Sequence, residues 1–333
     1  MITNDRLTFI FVHVNMISAL RMNITKPFDI LTFGDMCVDL IVNDDDVVPC
    51  FGQVEKLVND YTLELGGSCC IFACQAAKLG LRVEILGRVG SDSFGQLIIR
   101  RLNDCGVDTH HVITDPNLKT GLGIALCQGN DRAILTYMGS INAIRPEDVT
   151  DDLINSAHHL HHGSYYLHTG LRPAIPSIFQ RARNFGLTIS LDTNWDPQEE
   201  WAIELAEILP LVNVFMPNEQ EVSRITRQPD LQNAISYLHS LGVPLITVKQ
   251  GEKGAILSDG QSSYSETVAP VTTGDSVGAG DSFDAGFLAG WLRGLSLEQS
   301  LKIACQCGQS VASKIGGLAG QPYWYDLSIR FAK

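Results

Sequence analysis

The sequence lacks the cysteine pattern of a zinc site or of a disulfide framework. Its nine cysteines include no Cys-x-x-Cys pair, and an odd number of cysteines cannot all pair with one another. We therefore expect free thiols that behave as small buried hydrophobic side chains, which is typical of the reducing cytoplasm. The histidine-rich stretch 158–162 directly precedes an apolar run, which favours a strand and its rim over a metal site.

Positive charge and long apolar runs are also scarce. Lysine and arginine number 24 against 37 aspartates and glutamates, a formal net charge of −13, and this argues against a nucleic-acid partner. Residues 7–20 are mostly apolar but too few to span a bilayer, so no membrane partner is expected. An acidic protein of this kind can hold phosphates only locally, through backbone amides, a few cations and a bound metal.

The N-terminal residues 1–26 differ from the rest, because the first convincing strand begins near Phe28. We predict an N-terminal extension over 1–26 and one domain over 27–333. A translation start at Met22 is an open alternative. No internal repeat, low-complexity tract or linker rich in Pro, Gly or Ser divides the remainder.

From Phe28 onward, short apolar strands alternate with helical segments. Predicted strands cover residues 28–33, 83–86, 187–191, 212–215 and 244–248. This alternation predicts a mostly parallel sheet with helices on both faces, and ligands in such sheets bind outside the carboxyl ends of the strands. Residues 37–65 and 108–140 show little helical periodicity, so we expect them to form a small β-layer beside the main sheet.

The most informative segment is Thr273-Gly-Asp-Ser-Val-Gly-Ala-Gly-Asp-Ser-Phe283. Gly278, Ala279 and Gly280 are small, so the backbone there can approach a ligand closely. The residues that follow are predicted to form a helix, and a glycine turn that opens a helix points several N–H groups at one spot. The segment is not a Walker A motif, because no Gly-Lys-Ser/Thr follows it. A second glycine turn, Gly66-Gly67, precedes Ser68, which we predict as the N-cap of the next helix.

Asp281 at the end of the first glycine turn has two interpretations. A carboxylate at that point commonly caps the helix by accepting from its first amides. The alternative is a general base, held where an acceptor hydroxyl meets a phosphate. The local pattern does not choose between the two.

The chain as a whole resembles the PfkB/ribokinase family of carbohydrate kinases. The segment from Asp275 to Phe283 is similar to that family's C-terminal signature, and the other family motifs occur in the expected order between residues 28 and 322. They are Gly34-Asp-Met-Cys-Val-Asp39, Gly66-Gly67, Val89-Gly-Ser-Asp-Ser-Phe-Gly95, Asn218-Glu-Gln-Glu221 and Lys249-Gln-Gly-Glu-Lys-Gly254. The resemblance implies a ribokinase-like three-layer α/β/α fold with a mostly parallel central sheet and a small β-lid.

The resemblance also implies roles for individual residues. Asp281 would take the proton of a sugar hydroxyl, and the backbone amides of Gly278, Ala279, Gly280 and Asp281 would stabilise the charge on the transferred phosphate. On the sugar side, the family's contacts correspond to Asp39, Gly66 and Gly67.

ATP and Mg²⁺ are the cofactors that the family uses. The nucleotide side corresponds to Lys249, Gly251, Gly254 and Asn218, with residues 305–309 beside the adenine. Asn218 and Glu221 would position Mg²⁺ through its water shell, although Asn followed three residues later by Glu also matches an ordinary helix capping box. Asp275 corresponds to a site for a monovalent cation such as K⁺.

Two positions depart from the family pattern and bear on the substrate. Ile71 stands where an asparagine usually points at the sugar. Trp195 and Asp196 stand where family members that bind acidic sugars commonly have an arginine. We therefore expect an ATP-dependent kinase of a neutral furanose or hexose, fructose-like or ribose-like, that forms a homodimer through the β-lid. A nucleoside kinase, an inositol kinase and a non-catalytic binding protein are the alternatives.

Overall fold

The structure is a computed structural model, and it describes residues 26–128, 131–201, 205–271 and 276–327. The strands are β1 Phe28–Phe33, β2 Cys37–Asn43, β3 Asp60–Gly66, β4 Val83–Gly90, β5 Val112–Asp115, β6 Gly121–Gln128, β7 Asp131–Tyr137, β8 Ala157–His162, β9 Thr188–Leu191, β10 Val214–Phe215, β11 Leu245–Lys249, β12 Ala255–Ser258 and β13 Ser263–Glu266. The helices are α1 Ser68–Lys78, α2 Ser93–Asp104, α3 Asp151–Asn155, α4 Ile175–Asn184, α5 Leu205–Ile208, α6 Glu219–Thr226, α7 Leu231–Ser240, α8 Ala279–Trp291 and α9 Leu297–Ala312.

The main sheet has nine strands in the order β13-β12-β11-β10-β9-β8-β1-β4-β5. The pairs from β5 through β11 are parallel, and β12 and β13 continue the sheet antiparallel at one edge. The crossover connections between parallel strands place helices on the faces of the sheet. The predicted fold class, a mostly parallel sheet between helical layers, is therefore confirmed.

Each face of the main sheet carries its own hydrophobic core. In β1 the neighbouring residues Ile30 and Leu31 are both fully buried, but they point into different cores because side chains alternate along a strand. Ile30 packs in the cluster that includes Phe72 of α1 and Phe287 of α8. Leu31 packs in the cluster that includes Phe179 of α4. Burial on both faces explains why β1 has neighbouring apolar residues and no strict alternation of apolar with polar ones.

A second sheet has four strands in the order β3-β2-β6-β7. Its strands come from the two segments whose sequence shows little helical periodicity. One part of the second segment differs from that expectation: β5 pairs in parallel with β4 and belongs to the main sheet. We call the four-stranded sheet the lid.

The start of α1 differs from the prediction. The sequence predicted Ser68 as the N-cap, but Ser68 is the first residue of α1. Gly67 is the N-cap, and it makes no side-chain capping hydrogen bond. The carboxylate of Asp35 caps this helix instead, since it accepts from the amides of Ser68 and Cys69 at 2.8 and 3.2 Å. Within the described ranges, no helix is both long and apolar enough to cross a membrane.

Candidate active site

The glycine turn predicted from the sequence lies at the N-terminus of α8. Gly278 is the N-cap and has φ +71°, in the left-handed region. A Cβ atom on this residue would lie 2.8 Å from the Gly317 Cα and 2.9 Å from the Ile71 Cγ2, so only glycine fits. The amides of a first helical turn have no acceptor within the helix. The Ala279 amide reaches the Ser276 carbonyl at 3.4 Å, a length at which the bond is weak.

Asp281 is the third residue of α8 and is not its N-cap, because no side chain caps this helix. The residue is only 9% exposed. Burial raises its pKa to about 7, and the charge of Asp192 acts in the same direction. Lys249 and a hydrogen bond with Ser68 oppose this rise. A carboxylate near the point of half-ionisation at neutral pH is suited to exchange a proton.

An ammonium group lies directly beside the glycine turn. Lys249, the last residue of β11, places Nζ 2.8 Å from Asp192 Oδ2 and 3.2 Å from both carboxylate oxygens of Asp284. The same Nζ lies 3.5 Å from the point where a Cβ on Gly280 would stand. Burial alone would lower the pKa of Lys249, but the charges of Asp192, Asp284 and Glu221 outweigh it and raise the pKa. Lys249 therefore stays charged.

Asn218 and Glu221 form a reciprocal capping box at the start of α6. The Glu221 amide donates to Asn218 Oδ1 at 2.9 Å, and the Glu221 carboxylate accepts from the Asn218 backbone N and Nδ2 at 2.9 and 2.6 Å. A parallel bridge between Asn218 and Lys249 brings this box next to β11. Glu221 is 3% exposed, and burial together with the charge of Asp192 raises its pKa to about 7.

Negative charge exceeds positive charge at this edge of the sheet. Four buried carboxylates, which we call the carboxylate cluster, surround the single ammonium of Lys249: Asp192, Glu221, Asp281 and Asp284. Burial raises the pKa of three of them, including Asp284. Such raised pKa values indicate too little compensating positive charge. In the part of the chain that the structure describes, no three of these side chains are arranged to hold a metal ion by themselves, so a divalent cation such as Mg²⁺ would need water or phosphate oxygens as further ligands.

Sequence reasoning missed two members of the carboxylate cluster as site residues. Asp192 follows β9 at the carboxyl edge of the sheet, and the pattern of carboxylates at strand ends could have indicated it. Asp284 lies three residues after Asp281 on the same face of α8, a spacing that brings side chains together. Neither position could be connected to Lys249 from local sequence.

A second group of predicted residues lies where the lid meets the main sheet, and in it Asp39 of β2 is half-buried beneath two backbone segments of the lid. A Cβ on Gly66 would overlap its carboxyl group, and a Cβ on Gly123 would lie 2.5 Å from its Oδ1. Gly67 adjoins the backbone and carboxylate of Asp35, where a Cβ would lie 2.5 Å from the Asp35 carbonyl oxygen. The structure thus brings the three predicted residues, Asp39, Gly66 and Gly67, together, and it adds Asp35 to them.

Ile71, which stands where the family pattern has an asparagine, has a packing role in the structure. The side chain is 2% exposed and lies between Gly278 and Gly317, where a Cβ on either glycine would approach it to 2.9 and 2.7 Å. Ile71 therefore supports the glycine turn from behind.

The remaining predicted positions differ in their surroundings where the structure describes them. Gly251, with φ +59°, is exposed and has open space around its Cα. Gly254 is buried, and a Cβ there would overlap the carbonyl of Glu266, so it is required by the packing of β12 on β13. Gln309 of α9 donates to the carbonyl of Ala269 at 2.7 Å. Asp275 lies outside the described residues.

Comparison with known proteins identifies the family of this chain. The model of the pfkB family of carbohydrate kinases matches residues 28–323, and the chain belongs to this family. It is a carbohydrate kinase.

Individual relatives are distant but similar over most of their length. The 5-dehydro-2-deoxygluconokinase of Geobacillus thermodenitrificans is 26% identical over 303 residues, which cover 86% of this chain and 88% of that protein. The ribokinase of Arabidopsis thaliana complexed with ribose and ATP superposes with a TM-score of 0.77 at 24% identity, covering 90% of this chain and 97% of that one. An E. coli chain described as Ribokinase II, in complex with ATP and Mg²⁺, gives a TM-score of 0.79 at 23% identity, covering 90% and 97%.

We predict that Lys249→Met lowers the free energy of unfolding by about 3–5 kcal/mol, because it leaves Asp192 and Asp284 buried without their cation. Asp284→Asn is the matched comparison. It should lower the free energy of unfolding by a smaller amount, because Lys249 keeps Asp192 as a partner. Urea unfolding followed by circular dichroism measures both variants. A Lys249→Met protein as stable as the wild type would contradict this account of the ion cluster.

Proposed function

We propose that this protein transfers the γ-phosphoryl group of ATP to a hydroxyl of a neutral furanose or hexose, fructose-like or ribose-like. One observation carries the proposal: a buried carboxylate, Asp281, with a pKa raised to about 7, stands beside the open amides of the glycine turn. Phosphoryl transfer needs mainly positioning, charge stabilisation and a group that takes the hydroxyl proton. The glycine turn and Asp281 supply these functions side by side.

In the proposed reaction, Asp281 accepts the proton of the acceptor hydroxyl. The hydroxyl oxygen forms a bond to the γ-phosphorus, the bond from that phosphorus to the bridging oxygen breaks, and ADP leaves with the electron pair. Asp281 then returns its proton to solvent. The amides of Gly278, Ala279, Gly280 and Asp281 and the ammonium of Lys249 stabilise negative charge on the transferred group.

The nucleotide is proposed to lie on the side of Lys249, Asn218 and Gly251. Gly251 is exposed and leaves room for a ligand. Gly254 contributes indirectly, since it lets β12 and β13 pack closely after the Gly251 turn.

The acceptor is proposed to lie against Asp39, Gly66 and Gly67. A neutral sugar suits this end of the site, because an acceptor carboxylate would face the carboxylates of Asp39 and Asp35. The guanidinium of Arg172 lies over the rings of Tyr165 and Tyr166, at 5.4 and 5.7 Å from their centroids. Asp196 stands where family members that bind acidic sugars commonly have an arginine. It is 1% exposed and accepts hydrogen bonds from the backbone amides of Gln198 and Trp201.

Two cation sites belong to the proposal. Asn218 and Glu221 would hold Mg²⁺ through its water shell, and Mg²⁺ when bound with ATP neutralises phosphate charge. Glu221 fits this role because its carboxylate faces a cluster with excess negative charge. A monovalent cation site at Asp275 rests on the family resemblance alone.

The lid is proposed to form a homodimer. Four apolar residues pair across its four strands, namely Leu63, Leu40, Ile124 and Leu135. On the same face, Tyr61 lies two residues before Leu63 in β3, and Tyr137 lies two residues after Leu135 in β7. We call these six residues the apolar lid face. Leu135 and Tyr61 are 62% and 66% exposed. Contiguous exposed apolar surface of this kind marks an interaction site.

We predict that Asp281→Asn lowers turnover by at least about 10²-fold, as expected for the loss of a general base. ADP release with Mg·ATP should be measured across a panel of sugars, nucleosides and polyols. Glu298→Gln, which alters an exposed carboxylate in α9, is the control and should keep wild-type activity. Unchanged turnover in Asp281→Asn would refute the role of this residue, and an inactive wild type with every acceptor would refute the proposed activity.

Cation dependence should follow the proposed sites. Glu221→Gln should raise the Mg²⁺ concentration that gives half-maximal activity, by about tenfold as for other residues that orient metal ligands. Glu219→Gln in the same helical turn is more exposed and serves as the control. Replacing K⁺ by a large organic cation should lower activity if Asp275 holds a monovalent ion. Equal Mg²⁺ dependence of the two variants would exclude Glu221 from the metal site.

For the lid, we predict that Leu135→Lys converts a dimer into a monomer, because a buried charge opposes the apolar contact. Light scattering coupled to gel filtration gives the molecular mass. Tyr237→Lys changes a half-exposed aromatic side chain of α7, remote from the lid, and should leave the dimer intact. A monomeric wild type, or a dimeric Leu135→Lys, would rule out this interface.

A further inference from the structure

Asn194 lies between the carboxylate cluster and the residues that are proposed to bind the sugar. On the side of the cluster, its backbone nitrogen lies 3.5 Å from Asp192 Oδ1, a length at which a hydrogen bond is weak. On the other side, its Nδ2 lies 2.5 Å from Ser68 Oγ and 2.9 Å from Ser164 Oγ. Ser68 directly follows Gly67 in the chain. The Asn194 side chain is therefore one hydrogen bond away from the residue next to Gly67.

The hydrogen bonds of Ser164 determine which way the Asn194 amide faces. Ser164 Oγ lies 3.2 Å from Asp35 Oδ2. A carboxylate oxygen can only accept, so Ser164 donates its one hydroxyl proton to Asp35. The Ser164 oxygen then has no proton for Asn194 and can only accept from it. The NH₂ group must take that position, because a reversed amide would bring two oxygens together without a proton between them.

Asp35 is itself held in place, so this orientation has a fixed origin. Its carboxylate accepts from the amides of Ser68 and Cys69 at the start of α1. Asp35 is only 3% exposed, and Ser164 is fully buried. The direction of the Asn194 amide is therefore set by groups inside the protein and not by solvent.

With Nδ2 occupied, the carbonyl oxygen is the part of the Asn194 amide that remains for a ligand. No residue that the structure describes donates a hydrogen bond to this Oδ1. Oδ1 is also absent from the described buried polar atoms that lack a partner, and Asn194 is half-buried. Oδ1 is therefore accessible. An oxygen that can only accept selects a ligand atom that carries a proton, such as a hydroxyl.

The backbone is in an unusual conformation at two residues of this network. Asn194 has φ +54° and Ser164 has φ +52°. Residues other than glycine adopt this region at a cost, and such residues concentrate at functional sites. They are here the residue that carries the amide and the residue that sets its direction.

We propose that Asn194 is a specificity-determining residue of the kinase, and that its Oδ1 accepts a hydrogen bond from a sugar hydroxyl other than the one that is phosphorylated. The inference rests on the proposed function and deepens it, because it names a chemical feature of the sugar. A carbonyl, carboxylate or phosphate oxygen at that point of the substrate would face Oδ1 without a proton between them. The site therefore selects an acceptor with a second hydroxyl at this position.

The test combines a change in the protein with a change in the sugar. The acceptor that the ADP-release panel identifies is compared with its monodeoxy analogues, each of which lacks one hydroxyl. For the wild type, removal of the hydroxyl that contacts Asn194 should lower kcat/KM by at least about tenfold, as for a hydrogen bond lost from a site built to make it.

Asn194→Gly removes the amide and keeps the backbone conformation, since glycine tolerates φ +54°. It should lower kcat/KM for the parent sugar by a similar factor and leave kcat/KM for that one deoxy analogue unchanged, because the contact is already absent there. The KM for ATP should stay at the wild-type value.

Two further variants make the test specific. Asn184→Gly is the control, because it makes the same chemical change at the exposed C-terminal residue of α4, and it should keep wild-type kcat/KM for every sugar. Ser164→Ala removes the group that excludes a reversed amide. It should therefore reduce the discrimination against the deoxy analogue although Asn194 is still present.

Calorimetric titration of the same sugars into Asp281→Asn and into Asp281→Asn combined with Asn194→Gly measures the contact without turnover. One deoxy analogue should bind more weakly than the parent sugar to the first protein and equally to the second. An effect of Asn194→Gly that is the same for the parent and for every deoxy analogue would overturn the inference, since a purely structural role gives that result.

The outcomes separate this inference from the proposed function. Full turnover by Asp281→Asn would refute the proposed base, and the coupling between Asn194 and one hydroxyl would still support the inference. Loss of turnover in Asp281→Asn without any such coupling would overturn the inference and leave the proposed base standing. A protein that neither phosphorylates nor binds any sugar of the panel would overturn both.

Discussion

The arrangement of the site depends on the buried ammonium of Lys249. It binds carboxylates from two other elements, Asp192 after β9 and Asp284 on α8, and it moderates the charge on Asp281 and Glu221. Among the residues that the structure describes, Lys249 is the one cation that forms an ion pair with Asp192 or Asp284. The Lys249 side chain therefore connects the N-terminal turn of α8 to the carboxyl edge of the parallel sheet. These contacts hold the glycine turn in position.

Much of the fold was predictable because its cause is local. Continuous apolar runs such as Phe28–Phe33 signal strands that are buried on both faces, and here Ile30 and Leu31 do enter different cores. The glycine turn before α8 was also predicted, and the structure adds that Gly278 adopts the left-handed conformation there. The family motifs then supplied what periodicity could not: a reason to prefer a base over a cap at Asp281. The structure adds that Asp281 does not cap the helix.

The missed features share a physical reason, which is distance along the chain. Lys249 lies 57 residues from Asp192 and 35 from Asp284, and no local pattern connects them. Ser68 looked like an N-cap because serine after glycine before a helix usually is one. The prediction was wrong because the first amides of α1 donate to Asp35, 33 residues earlier, while the Ser68 hydroxyl oxygen accepts from Asn194 Nδ2. The capping box at Asn218 shows the opposite case, because its pattern is purely local and it forms as expected. The capping box alone does not indicate a metal site.

The packing of Ile71 has a consequence for how this sequence can change over evolutionary time. Its side chain fills the space that a Cβ would need at both Gly278 and Gly317. A polar residue at position 71 would leave the glycine turn unsupported, and a side chain at either glycine would collide with Ile71. These three positions are therefore constrained jointly. A lineage that acquired an asparagine at position 71 would first need compensating substitutions behind the turn, so the order of mutations, and not only their number, limits which acceptors this kinase can come to use.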